Sequence, residues 1–110
     1  MRPVPSGNLD QRVRIQHKTV VRDDIGGHTE TWADLATVWA EVRPMTGKQI
    51  VNAKAIGSEA NMLVTIRNRS GLSADMRILL ADGSVAMIEW LQVYMSREPF
   101  LEIHCRILNG

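Results

Sequence analysis

The feature that most constrains the fold is a regular alternation of apolar and polar residues near the end of the sequence. Leu101, Ile103, Cys105 and Ile107 alternate with polar or charged residues. Successive side chains of a β-strand point to opposite faces, so this period of two predicts a strand with one buried face. The same period recurs along most of the chain and predicts a mainly β fold.

Turn-forming residues divide this pattern into six or seven predicted strands. The predicted strands cover residues 12–16, 28–32, 37–43, 62–67, 76–80, 85–95 and 101–107, with an exposed loop over Val20 to Gly27. The pair Asp82-Gly83 is typical of a hairpin turn, so the strands beside it should pair antiparallel. A sheet of so many short strands is expected to close on itself, because closure removes the exposed edge strands. The expected fold is a small antiparallel β-barrel or sandwich with one short α-helix at about residues 47–56.

The helix is predicted from its ends. Thr46 and Gln49 have the spacing of a capping box, in which each side chain bonds the backbone of the other residue. Met45 and Ile50 are placed for a hydrophobic staple across the start of the helix. Gly57 suits the left-handed residue that follows many helices.

The predicted strand over residues 85–95 contains a change of phase. Its apolar residues are first Ala86, Ile88 and Trp90, and then Leu91, Val93 and Met95. A shift of the apolar set to the other face predicts a bulge or sharp bend within this strand.

Length and charge favour one small domain without bulk affinity for nucleic acid. The 110 residues can close a single core, and 13 basic against 12 acidic residues leave a net charge of +1. Residues 1–10 contain two prolines and a glycine and are expected to form a flexible N-terminal arm, which leaves a single β-barrel domain over residues 11–110. One cysteine excludes an internal disulfide, and no segment approaches the length of a membrane span, so synthesis in the cytoplasm is expected.

No residue pattern indicates catalysis or a cofactor, so the expected protein is not an enzyme. His17, His28, His104 and Cys105 lack the spacing of metal ligands, and neighbouring strand residues point to opposite faces. Cys105 is interpreted as a small buried hydrophobe and His104 as a solvated strand residue. Asp23 and Asp24 suit a turn better than a calcium or acid-base site.

Three aromatic residues are candidates for contacts with partners or neighbouring subunits. Trp39 shares a strand face with Glu41 and Arg43, and an aromatic residue between charged neighbours is a candidate interface anchor. The alternative is that the barrel or the helix buries Trp39. The same two interpretations apply to Trp90 and Tyr94.

Three arginines form a second candidate set. Arg67 and Arg69 lie on one predicted strand face, and Arg77 is placed on a neighbouring strand. Together they would line a passage for DNA or form ion pairs across subunits. The alternative is a solvated face, because scattered surface arginines are common.

The order of these elements and their residues resembles the phage head-tail joining proteins, also described as head-tail adaptor, head closure or stopper proteins. The resemblance runs through Leu9-x-x-Arg12-Val13-x-Ile15-Gln16, Asp24-x-Gly26-Gly27, Thr31-Trp32, Val38-Trp39-Ala40-Glu41-Val42-x-Pro44-x-x-Gly47, Val64-x-Ile66-Arg67-x-Arg69-x-Gly71, Met76-Arg77-Ile78, Asp82-Gly83, Ile88 and Leu101-x-Ile103-x-Cys105. The chain departs from the family pattern at Lys48-Gln49, at Asn68 and in the apolar stretch from Trp90 to Met95.

The resemblance implies a β-barrel that assembles as a homo-oligomeric ring, dodecameric on the connector and monomeric in isolation. Such a ring sits on the portal and adaptor proteins, closes the DNA-filled head and docks the tail, while packaged DNA passes through its channel. The ring would assemble in the host cytoplasm and become part of the virion. A channel or docking loop would come from residues 44–61 or 20–27. The candidate residues in these loops are Asp24, Gly26, Gly27, Thr46, Gly47, Lys48 and Gln49.

Two other functions are compatible with the sequence. A tail completion or terminator protein would share ring assembly but bind the tail tube. A small nucleic-acid-binding barrel is less well supported, because the chain has five aromatic residues and no basic run interleaved with them.

Overall fold

The computed structural model describes residues 9–22, 24–95 and 97–107. Within them the chain forms six strands and one helix, which confirms the mainly β fold. These elements are β1 (Gln11–Arg22), β2 (His28–Pro44), α1 (Gly47–Ala55), β3 (Met62–Arg67), β4 (Arg77–Leu79), β5 (Val85–Tyr94) and β6 (Phe100–Ile107). The predicted N-terminal arm lies outside the described residues as far as Asn8. None of the described helices is long and apolar enough to cross a bilayer.

The strands close into an antiparallel barrel in the order β1-β2-β3-β6-β5-β4. Residues 14–16 of β1 pair with residues 79–77 of β4, and this short seam completes the circle. The turn at Asp82-Gly83 joins β4 to β5 as an antiparallel pair, as predicted. Closure gives every strand of the barrel two partners, so no edge is left open along the barrel wall.

The alternating apolar residues point into the barrel and fill one core. The buried core residues are Val13, Ile15, Ala40, Val64, Ile66, Ile78, Leu80, Ala86, Ile88, Leu101, Ile103 and Cys105. Cys105 has no exposed surface, which confirms its interpretation as a buried hydrophobe. Burial, with a smaller contribution from the charge of Glu89, raises the pKa of the Cys105 thiol to about 12.

Helix α1 packs on the outside of the barrel. The predicted capping box is present, because the Thr46 hydroxyl accepts a hydrogen bond from the Gln49 backbone and the Gln49 side chain accepts one from the Thr46 backbone. A small apolar cluster joins Met45, Ile50 and Ala53 to Leu63 on the outer face of β3. The helix is thereby held against one side of the barrel wall.

The bulge predicted in the strand over residues 85–95 is present in β5. Ile88 pairs with Cys105 of β6 and Trp90 pairs with His104, so Glu89 is an extra residue between two successive pairs. The Glu89 carboxylate accepts a hydrogen bond from the backbone of Glu59, at 3.0 Å. The bulge therefore also fixes the loop that follows α1.

The two strands predicted over residues 28–32 and 37–43 are one continuous strand, β2. Ile15 pairs with Ala36 and Gln16 with Asp34, which leaves Leu35 as an extra residue in β2. This bulge interrupts the alternation, and for that reason the sequence pattern suggested a break between two strands.

The loop predicted over residues 20–27 is shorter than expected, because β1 continues to Arg22. Within the described residues, 17–22 of β1 and 28–33 of β2 have only each other as strand partners. This two-stranded segment is called the ribbon here, and it accounts for the elongated shape of 52 × 29 × 26 Å. The Cα radius of gyration is 15.1 Å, against about 13 Å for a compact domain of this length.

Candidate interaction surfaces

An open groove of about 510 Å³ lies at the end of the barrel away from the ribbon. It is lined by Leu9, Arg12, Thr37, Val38, Trp39, Ile66, Arg67, Asn68 and Arg69. None of these nine residues, all in the described part of the chain, is acidic. We call this surface the arginine groove. It joins two candidate sets that the sequence pattern kept apart, namely Trp39 and the arginines at 67 and 69.

Pairing between β1 and β2 positions the aromatic side chain of the groove. Arg12 lies directly across from Trp39 in the strand register, and its guanidinium carbon is 4.9 Å from the centre of the Trp39 ring. Trp39 is 52% exposed, so neither the barrel nor α1 buries it. A large aromatic side chain held in place by a cation but open to solvent is well suited to anchor a partner.

Residues at the C-terminal end of β3 form the other end of the groove. Arg67 is the last residue of this strand and Arg69 lies in the loop after it, both with exposed side chains. Leu9 closes the floor by packing on Phe100, whose ring stacks on Tyr94 at 4.8 Å. Tyr94 is thus half-buried in a wall of the barrel end, and burial first and the charge of Glu102 second raise the pKa of its hydroxyl.

Arg77 is not part of the arginine groove, so the prediction that it lies on a strand next to Arg67 is wrong. Strands β3 and β4 stand on opposite sides of the closed barrel. The Arg77 Nε donates a hydrogen bond to the Gln16 side chain at 2.7 Å, and its guanidinium lies 4.4 Å from the centre of the Trp32 ring. Arg77 therefore fastens the base of the ribbon to the barrel. The sequence pattern did not identify Trp32 as a contact residue, because no residue near it indicated a contact with a side chain of β4.

The hydrogen bonds of Gln16 continue this network to β2. Its amide donates to Asp34 at 2.8 Å, and Arg14 lies 3.4 Å from the same carboxylate. The pKa of Asp34 is lowered chiefly by the hydrogen bond from Gln16; desolvation opposes this, and the charge of Arg14 adds a smaller lowering effect. The ribbon is thus oriented at its base by polar contacts across three strands.

The end of the ribbon exposes apolar side chains. Val20, Val21 and Ile25 are 54%, 58% and 92% exposed. Asp24 is exposed beside them, and Gly26 has the positive φ of 84° that the turn requires. We call Val20, Val21, Asp24 and Ile25 the ribbon tip. An apolar tip on a projecting hairpin indicates a contact surface. The only feature of the sequence that pointed to this surface was an isoleucine, Ile25, inside a predicted polar loop.

A second surface lies between α1 and the outer face of β5 and β6. The rings of Trp90 and His104 stack with centres 3.5 Å apart and planes 9° apart. His104 is only 7% exposed, so the prediction of a solvated side chain is wrong. The cause is that Trp90 covers one face of the imidazole beside α1. The Nε2 atom of His104 is 3.2 Å from the Glu102 carboxylate, outside hydrogen-bond geometry.

The remaining candidate residues have mainly local contacts. The Arg43 Nε lies 3.6 Å from the Glu41 carboxylate on the outer face of β2. Thr46 and Gln49 cap α1, while the Gly47 and Lys48 positions are exposed in its first turn. No three His, Cys, Asp or Glu side chains in the described residues are grouped to hold a metal ion, and the His28 side chain lies outside that description.

Comparisons with known proteins match this fold and sequence along most of the chain. The sequence profile of the family described as phage head completion protein matches residues 4–107. Head completion protein gp7 of Enterobacteria phage HK97 is 32% identical over 77 residues, which cover 70% of this chain and 69% of that protein. The solution structure of protein SF1141 from Shigella flexneri 2a is similar, with a TM-score of 0.78 and 30% identity over 94% of this chain and 96% of that one. These matches confirm the resemblance to head-tail joining proteins, and the chain belongs to the phage head completion protein family.

Proposed function

We propose that this chain completes the DNA-filled head of a tailed phage by forming a ring at the head-tail connector. The ring binds the portal and adaptor proteins on one side and the tail on the other. The observation that carries the proposal is the match to the phage head completion family over residues 4–107. The protein acts by binding and not by catalysis, in the host cytoplasm during assembly and then in the virion.

The distribution of exposed surfaces supports a ring. A cyclic assembly uses two different faces on each subunit, one for each neighbour. This chain has an exposed arginine groove at one end of the β1–β2 hairpin and an exposed ribbon tip at the other. With a net charge of +1, such a ring has little bulk attraction for DNA that must pass through it. Twelve copies would match a dodecameric connector.

Of the two segments considered for the channel, we assign α1 and its flanking loops. The helix Gly47–Ala55 contains two exposed lysines, Lys48 and Lys54, and no acidic residue. Positive charge on a short helix facing the channel would contact DNA phosphates in the closed head. The ribbon is left for contacts between proteins.

The proposal is tested with heads of the parent phage that contain DNA but lack this chain. Purified protein is added, and nuclease sensitivity of the packaged DNA, tail joining and cryo-electron microscopy of the portal vertex are measured. Protected DNA and ring density beneath the adaptor support head closure. Heads that stay open, together with capping of purified tail tubes, would instead support the tail completion function.

A further inference from the structure

We propose that the ribbon tip of one copy docks in the arginine groove of the next, so that the subunits join head to tail. The inference rests on the proposed ring and names the surfaces that would build it. It concerns contacts between identical chains, and neither surface is then the site for portal or tail.

The charge and shape of the groove indicate its occupant. Arg12, Arg67 and Arg69 line it without an acidic residue among the nine described lining residues, and Trp39 adds a large exposed ring. A carboxylate close to an apolar side chain complements this combination of positive charge and exposed ring. Tryptophan and arginine are also the residue types most enriched at the centres of protein interfaces.

The ribbon tip has this composition. Ile25 is 92% exposed and follows Asp24, whose side chain is exposed too. In the sequence, a second acidic residue, Asp23, directly precedes Asp24. The left-handed Gly26 turns the chain directly after Ile25, so the tip is narrow. Docking would place Ile25 on the Trp39 ring and the carboxylate of Asp24 toward the arginines.

The two surfaces cannot meet within one molecule. Arg12 of the groove and Arg22 beside the tip are ten residues apart on one strand, which corresponds to about 30 Å. Arg77 and the Gln16 to Asp34 network also hold the base of the ribbon in position. Complementary surfaces at opposite ends of a subunit join different copies, and such head-to-tail contacts form a ring when their successive rotations add up to a full turn.

The groove is less suited to residues 1–8 of the same chain. Leu9 lines the groove, and it directly follows this segment in the sequence. Its sequence contains Arg2 and no acid, so its side chains do not complement three arginines.

The contact is tested by disulfide trapping in the double variant Ile25→Cys/Asn68→Cys. Native Cys105 is buried with its pKa raised to about 12, so it does not compete under mild oxidation at neutral pH. In completed particles, and in the free protein at high concentration, we expect a ladder of linked multimers that ends at the closed ring. The matched control Ile25→Cys/Gln92→Cys carries the same number of thiols, with one on the exposed β5 position 92, and should give no ladder.

Charge reversal provides a second, independent measurement. Asp24→Lys and Arg69→Glu should each weaken self-association by about tenfold, and the double variant should recover most of it. Asp82→Lys makes the same charge change at an exposed position in the turn between β4 and β5 and should leave self-association unchanged. Folding of each variant is checked by circular dichroism.

The outcomes separate this inference from the proposed function. Completed particles that contain the ring but give no ladder would overturn the docking of tip in groove and leave head completion intact. Absence of the chain from the connector, with a ladder in the free protein, would support the contact and contradict the proposed function. Normal rings with loss of salt-sensitive DNA binding in Arg69→Glu would assign the groove to phosphate and overturn the inference.

Discussion

The thiol of Cys105 shows how burial in this barrel changes the chemistry of a single side chain. It has no exposed surface, and its pKa is raised to about 12, chiefly by desolvation. In the unfolded chain the same thiol ionises near pH 9. Between these values the unfolded state has lost the proton that the folded state keeps, so the free energy of unfolding falls as pH rises.

This difference gives the first prediction. Above pH 9 the wild-type protein should lose stability faster than Cys105→Ala, by up to about 1.4 kcal/mol per pH unit. Urea denaturation at several pH values between 8 and about 11 measures it. The cavity left by alanine lowers stability equally at all pH values and does not change the slope. Parallel curves for the two proteins would contradict a raised thiol pKa.

A second prediction concerns the N-cap of α1. Thr46→Ala removes the hydroxyl that accepts from the Gln49 backbone, and it should destabilise the helix by about 1 kcal/mol. Thr46→Ser keeps the acceptor and serves as the control. Hydrogen exchange of the α1 amides should be faster in the alanine variant alone. Equal exchange in the two variants would mean that packing on Leu63 holds the helix without its cap.

At the same scale, sequence alternation correctly predicted which face most side chains occupy. It did not predict what covers the outer face. His104 lies on that face, but the ring of Trp90 stacks on it and α1 lies beside it. Both contacts depend on strand pairing and helix packing between distant parts of the sequence. A local pattern contains no information about them.

At the level of elements, the two bulges differ in how clearly the sequence pattern predicts them. The bulge at Glu89 moves a long apolar set to the other strand face, so the phase change predicted it. The bulge at Leu35 lies among Ala33, Asp34 and Ala36, where small residues give little alternation on either side. The sequence pattern therefore predicted a break over residues 33–36, where β2 is one continuous strand.

The ribbon can be shortened without changing its register, which gives a third prediction. Deleting Val20 and Val21 together with their partners Glu30 and Thr29 removes two residues from each strand and keeps every remaining side chain on its face. Because these residues pair with no other strand in the described part of the chain, the melting temperature of the barrel should change little. Ring assembly and head completion should be lost.

Circular dichroism and the head-completion assay measure these two effects separately. A matched control replaces Val20 and Val21 with threonine, which keeps the length and strand preference of the ribbon but lowers its apolar surface. Full activity of the shortened protein would show that the ribbon has no part in assembly.

For the whole molecule, the order in which the strands pair around the barrel could not be predicted from the sequence. Arg77 was placed beside Arg67 because β3 and β4 follow one another along the chain. In the barrel β6 pairs with β3 and β5, and β4 returns to β1 on the far side. The seam between β1 and β4 has only three residue pairs, while β5 and β6 share eight.

This asymmetry gives the fourth prediction. The amides of Arg77, Ile78 and Leu79 should exchange with solvent faster than those of β3 and β6. Separating the three residue pairs of the β1–β4 seam requires less free energy than separating β6 from β3 and β5. Native-state hydrogen exchange followed by nuclear magnetic resonance measures the difference. Equal protection around the barrel would mean that it opens only by global unfolding.

The position of β6 also bears on how the chain is made. Strands β3 and β5 both leave the ribosome before β6, yet each of them pairs with β6 in the finished barrel. Until β6 is synthesised, β3 has an open edge and can pair with the wrong strand. The hairpin of β1 and β2 needs only neighbouring sequence and can form early. The barrel therefore cannot close until β6 has been synthesised, and during this interval the open edge of β3 can be bound by a chaperone or pair with the wrong strand.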